Sequence, residues 1–202
     1  MQNTQLIKRL LAMSVAAAMF GSVGAQAQTA ATPTTATATA KLNAADKKAI
    51  MDMAMSNMAE VEMGKMAQDK SQSADVKAFG QKMVEDHGKA LTEVQTLAQA
   101  KGVTLPTELD AKHKAMGAKL GKMNGDAFDK AYTRQGGVAA HKETLAKLQK
   151  ASKSVKDADV KGQVDKMIPV VQEHLKHAEQ VASAKTGSTG ASGAAGHTGS
   201  SH

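Results

Sequence analysis

VKAFGQKMVEDHGKALTEVQTL, residues 76–97, decides the fold. Val76, Gly80, Met83, His87, Ala90, Val94 and Leu97 recur at alternating steps of four and three. That is the period of a helix with one face buried, at the spacing of a bundle seam. Polar residues fill the other faces. The stripe predicts a helix from Ala74 to about Lys101, with Ser73 as its cap and Gly102 as its stop.

The same period extends in both directions along the chain. Asn43 can cap a first helix running to about Lys70. Its apparent inner face is Met51, Met55, Met58, Glu62 and Met66. Residues 108–122 predict a shorter accessory helix, and Asn124-Gly125 a turn. A helix from Asp126 to about Ser152 carries Phe128, Ala131, Gln135, Val138, His141, Leu145 and Leu148 inward. The final helix, about Asp157 to Ala184, carries Val160, Val164, Met167, Val171, His174, Ala178 and Val181. No strand period appears. Four long helices with short connections predict an all-α protein, an antiparallel four-helix bundle with one short accessory helix.

Four polar side chains interrupt these stripes: Glu62, His87, His141 and His174. Each stands well inside its helix, so antiparallel neighbours bring all four to within a turn or two of one level. Buried polar groups need partners. These four can satisfy one another as a layer that fixes helix register, or they can hold a metal ion. Imidazole nitrogen and carboxylate oxygen suit Fe, Zn, Mn, Ni or Cu(II). Asp86 and Glu173 precede two of the histidines and point about 100° away on their own helices. They are candidates for supporting acceptors or for solvated surface charges. His177, three residues beyond His174, can share its face.

The first helix also concentrates Met51, Met53, Met55, Met58, Met63 and Met66. Thioethers select Cu(I), so copper handling is an alternative use of this helix. Methionine is also an ordinary core filler, and only Met53 and Met63 fall off the expected stripe. Gly136-Gly137 weakens the third long helix one turn before His141. Pro169 removes a backbone bond shortly before His174.

The ends read differently. Residues 1–27 form a secretory signal peptide: Lys8 and Arg9, an apolar run from Leu10 to Val23, and cleavage after Ala27 in Ala25-Gln26-Ala27. Export to the periplasm or beyond follows, with outer-envelope association an option. Residues 28–42 are a Thr/Ala-rich linker. The bundle domain occupies 43–184, and 185–202 is a Gly/Ser-rich tail carrying His197 and His202. No later segment has the 18 apolar residues of a membrane span.

The chain has no cysteine. That removes disulfides, thiolate metal sites and cysteine nucleophiles, and leaves the core to hold the fold. Of 26 basic residues, 24 remain after cleavage against 19 acidic ones, a charge of +5. The lysines are scattered among acids, with one Tyr and no Trp for base stacking, which argues against nucleic-acid binding. A lysine-rich surface with flexible ends also fits a protein that contacts anionic envelope components and carries no site. Hydrolase, phosphate-loop and dinucleotide motifs are absent. The sequence leans away from an enzyme and names neither an oligomeric state nor a partner.

AEVEMGKMAQDKS (59–71), VKAFGQKMVEDHGKA (76–90), KGVTLP (101–106), FDKAYTRQGGVAAHKETL (128–145) and IPVVQEHLKHAE (168–179) stand in that order. Together they resemble the exported bacterial family catalogued as domain of unknown function 4142, over about residues 44–183. The resemblance implies a ferritin-like bundle, export to the periplasm or outer envelope, and no established activity. Its blocks contain Glu60, Glu62, Asp86, His87, Asp129, His141 and His174. Ferritin-type di-metal centres use Glu-x-x-His pairs. Here Val84, Val138 and Val171 stand three residues before the histidines, so that chemistry is not expected.

Overall fold

The computed structural model describes residues 41–187, with side chains to residue 184. The expected signal peptide, nearly all of the expected linker and the chain beyond Gly187 lie outside the described residues. The order is α1 (Ala44–Lys70), α2 (Ala74–Ala100), α3 (Ala111–Gly121), α4 (Gly125–Ala131), a π-helical segment (Tyr132–Ala139), α5 (Ala140–Ser154) and α6 (Ala158–Gly187). Among the described residues there is no strand. The chain is an all-helical bundle of four long rods, the third of which is α4, the π segment and α5 in continuous succession. Helix α3 is the accessory element.

Local chemistry sets the ends. Asn43 Oδ1 accepts from the backbone N–H groups of Ala45 and Asp46, while Asp46 reaches back to the Asn43 N–H. This reciprocal capping box satisfies the open end of α1. The buried Asp46 also acts at long range. Its Oδ1 accepts from the N–H of Lys156 (2.7 Å), which ties the start of α1 to the approach to α6. Gly102, at φ 66°, ends α2 in the left-handed region. Ser73 makes no side-chain cap; instead Ser71 Oγ accepts its N–H in the short α1–α2 turn.

Helices α1 and α2 lie unusually close. A Cβ on Gly80 would stand 2.8 Å from the Gly64 carbonyl oxygen and 2.7 Å from Ala67 Cβ, and one on Gly64 would meet the Gly80 carbonyl at 2.7 Å. Both positions therefore require glycine for the backbones to approach.

The interior is two apolar clusters. One gathers Leu42, Ile50, Met53, Val94, Leu148, Val160, Val164 and Val171. The other gathers Met63, Phe79, Met83, Leu120, Phe128, Tyr132, Ala178 and Val181. Along every rod the switch from one cluster to the other falls at polar residues: Asn57 in α1, His87 in α2, His141 in α5 and His174 in α6. A polar layer thus crosses the middle of the bundle.

The expected stripes of α2 and α6 match the buried faces, and every residue of the α6 stripe is buried. That of α1 does not. Its inward residues are Ile50, Met53, Asn57, Glu60, Met63, Gly64 and Ala67, whereas Met51 and Glu62 are exposed. Alanine and methionine stand on every face of α1, so hydropathy does not fix its phase. The closest approach to α2 does, and it demands the small residues Gly64 and Ala67.

The third rod carries the other departure. A regular helix turns about 100° per residue, so Phe128 and His141, thirteen residues apart, would point about 140° away from each other. Both are fully buried. The π segment reconciles them, because its i→i+5 bonding fits more residues into each turn. Gly136 and Gly137 line its inner side: a Cβ on Gly136 would press the Tyr132 ring at 3.2 Å, and one on Gly137 would meet Ala178 Cβ at 3.0 Å. The expected weakening before His141 is a change of helix type. At Pro169, α6 continues as helix.

Candidate metal centre

Helices α2, α5 and α6 each deliver one imidazole to the polar layer. His87, His141 and His174 are 2%, 1% and 1% exposed. Their ring centroids form a near-regular triangle with sides of 5.6 Å (His87–His141), 5.0 Å (His87–His174) and 5.6 Å (His141–His174). One ring nitrogen of each lies within 4.8 Å of the others.

The surrounding acceptors dictate which nitrogen carries hydrogen. Asn57 Nδ2 donates to the Met53 carbonyl (2.9 Å), so its Oδ1 is the atom facing His87 Nδ1 at 2.8 Å. His87 therefore donates from Nδ1. His141 donates from Nδ1 to the Gly137 carbonyl, 2.7 Å away, inside the π segment. His174 donates from Nε2 to Asp86 Oδ2 at 2.8 Å, a bond from α6 across to α2. Each neutral ring then keeps a lone pair on its other nitrogen: His87 Nε2, His141 Nε2 and His174 Nδ1.

Two of these lone pairs, on His87 Nε2 and His174 Nδ1, face each other at 3.2 Å. The buried His141 Nε2 has no hydrogen-bond partner. Neutral rings leave no hydrogen to place between the first two. Protonation is opposed as well. Burial, then the charges of its two neighbours, holds the His87 pKa well below its usual value. Burial lowers His141 to about 4, against the opposing pull of the Gly137 carbonyl. It lowers His174 too, despite the bond to Asp86.

A tetrahedral ion with bonds of about 2.0–2.1 Å holds its nitrogens about 3.3 Å apart. The His87–His174 pair already has that spacing. Metal-bound histidines characteristically give their second N–H to a carboxylate, a carbonyl or a similar acceptor, and Asn57, Gly137 and Asp86 fill that role here. Asp86 is itself anchored by Lys82 Nζ at 2.9 Å. Burial raises its pKa, but the bonds from Lys82 and His174 outweigh this and hold it below the usual carboxylate range. The residues present fit a transition-metal ion bound by three imidazoles, with coordination positions left open.

Of the four expected members, three converge. Glu62 is exposed and stands outside the triad, because α1 is turned to present Glu60. Glu60 is buried, with Oε1 3.8 Å from His141 Nδ1 and Oε2 without a partner. Burial pushes its pKa up to about 8. The sequence signal for it is the step Asn57–Glu60–Gly64–Ala67, a seam of small and polar residues that the methionines obscure. Asp86 acts as an acceptor for a histidine on another helix, while Glu173 is exposed. His177 packs edge-on against Phe79, and His113 bonds Asp110. Met53 and Met63, expected off the stripe, are core residues.

The family described as Domain of unknown function (DUF4142) matches residues 31–181, and the chain belongs to it. Among solved structures the fold is similar to CopM in its Cu(II)-bound form, at 17% identity and TM-score 0.58, covering 69% of this chain and 96% of that one. CopM in its Cu(I)-bound form aligns at 17% identity and TM-score 0.54, over 67% and 93%. A DUF305 fragment from Deinococcus radiodurans aligns at 10% identity and TM-score 0.63, over 71% and 98%. At these identities the likeness is one of fold. No curated protein matches the chain. No helix among the described residues is long and apolar enough to cross a membrane.

Proposed function

We propose that this protein is an exported transition-metal-binding bundle that holds one ion on His87, His141 and His174. The observation that carries this reading is the meeting of three imidazole lone pairs, each neutral ring's single N–H being committed to an acceptor outside the triad. Three neutral nitrogens favour copper, zinc or nickel over harder ions. Copper is the first candidate, because CopM, of similar fold, has a Cu(II)-bound form and a Cu(I)-bound form. Glu62 takes no part, and the methionines of α1 serve the core before they serve a metal. Export rests on the N-terminal segment ending at Ala27.

The test is a titration of full-length protein purified without an affinity tag. Cu(II) and Zn(II) are added and bound metal is read by elemental analysis after dialysis. One equivalent is expected for the native chain and none for H87A/H141A/H174A. Equal occupancy in the two proteins would remove the assignment and leave a polar layer that sets register.

A further inference from the structure

The lysines that look scattered along the chain are not spread evenly over the fold. Residues 111–156, which are α3 and the third rod with its ends, hold eleven basic residues against three acidic ones, a charge of +8. The other described residues, 41–110 and 157–187, hold thirteen basic against sixteen acidic, a charge of −3. All eleven basic side chains are exposed, whereas Asp129, one of the three acids, is buried. Lys112 pairs with Glu143 of α5, and Lys119 bonds Gln135 of the π segment at 3.3 Å. These contacts lay α3 alongside the third rod, so the two elements make one face. The rod, Gly125–Ser154, runs for about 45 Å.

Neighbouring acids do not neutralise this face. Glu143 takes Lys112 and Lys147, Glu179 of α6 takes Lys142, and Glu108 takes Lys114. Counting Glu108, Asp110 and Glu179 with the face still leaves it at +5. Lys122, Lys150, Lys153 and Lys156 make no ion pair among the described residues.

We infer that the face formed by α3 and the third rod docks the protein on the surface of an anionic phospholipid bilayer. This does not depend on a bound metal. Clustered basic residues are drawn to anionic headgroups over a screening length. Ten of the eleven are lysines, point charges that suit headgroups free to rearrange, where fixed phosphates would favour the arginine fork. Phe128 and Tyr132 are fully buried, so the face offers no ring on which a nucleic-acid base could stack. The exposed large hydrophobic side chains, Met51 and Val170, stand on α1 and α6. Contact is therefore electrostatic, at headgroup level, without insertion.

The experiment is co-sedimentation of the full chain with vesicles of phosphatidylcholine, alone or mixed with phosphatidylglycerol. At low salt, binding is expected to the mixed vesicles only. It is expected to vanish in 1 M salt, where the screening length is about 3 Å. K122Q/K150Q/K153Q is expected to weaken binding at least tenfold. K47Q/K77Q/K176Q, on α1, α2 and α6, removes the same charge and is expected to change it little. Native protein that ignores the mixed vesicles overturns the proposal, and retention on heparin in that case gives the face to an anionic polymer. Equal weakening by the two variants also overturns it, because net charge and not this face would then act. Binding that survives 1 M salt overturns it in favour of insertion.

Discussion

At the scale of single residues, the acceptors around the triad matter as much as the rings. Asp86 holds His174 in the tautomer that aims Nδ1 inward. D86N keeps the shape and removes the charge. It should weaken metal affinity by about 10–100-fold, the usual effect of losing such a partner, with the helix signal unchanged. An affinity equal to that of the native protein would show that Asp86 does not orient His174.

Glu60 makes the opposite kind of prediction. Its pKa of about 8 in the fold lies above its ordinary 4.5. The folded metal-free protein therefore keeps a proton that the unfolded chain releases. The associated stability is complete below pH 4.5 and is lost as pH climbs through 8. Gln has no proton to lose. At pH 9, metal-free E60Q should be more stable than the native protein by up to a few kcal/mol, and the two should converge near pH 5. Urea unfolding at both values measures it.

At the scale of elements, the π segment aims His141, and close packing fixes the rods beside it. Inserting one alanine between Ala139 and Ala140, at the start of the regular helix α5, turns His141 by about 100° from its present aim. Metal binding should disappear while circular dichroism still reports a helical protein; retained binding would show that the phase of this rod does not place the ring. G80A tests the α1–α2 approach. Its Cβ has no room against Gly64 and Ala67, and overpacking of this kind costs about 1–3 kcal/mol. Because Asn57 on α1 orients His87 on α2, G80A should also loosen the metal.

At the scale of the whole molecule, the polar layer sits between two apolar clusters and is linked to pH. The folded pKa values of the three histidines lie below the ordinary 6.5. The unfolded chain binds protons on these rings that the folded one refuses, so their contribution to stability is full above pH 6.5 and falls as pH drops toward 4. The native protein should lose stability across that window more steeply than H87A/H141A/H174A. A bound ion acts in the other direction. At free metal a hundredfold above Kd it adds about 2.7 kcal/mol, and the melting temperature should rise in the native chain alone.

Much of this is legible in the chain. The α2 and α6 stripes, where valine and alanine alternate cleanly with charge, specify the face and depth of His87 and His174. His141 comes from a stripe with irregular steps, and only the π segment explains why it reaches the same interior. The sequence puts the wrong face of α1 inward, because Met and Ala offer the same hydropathy all round, and so it favours Glu62 over Glu60. Asp86 is visible as a candidate but not as a partner of His174, since sequence spacing relates a residue only to its own helix.

The sequence by itself determined an all-helical bundle, the rods that compose it and three histidines turned to its interior. These follow from hydrophobic period and local capping, which act over a few residues. The tertiary structure decided the phase of α1, the helix type before His141, the hydrogen-bond partner of each ring and therefore which nitrogens face inward. Those depend on how closely backbones from distant parts of the chain can approach, and Gly64, Gly80 and Gly137 set that distance only once the helices are packed.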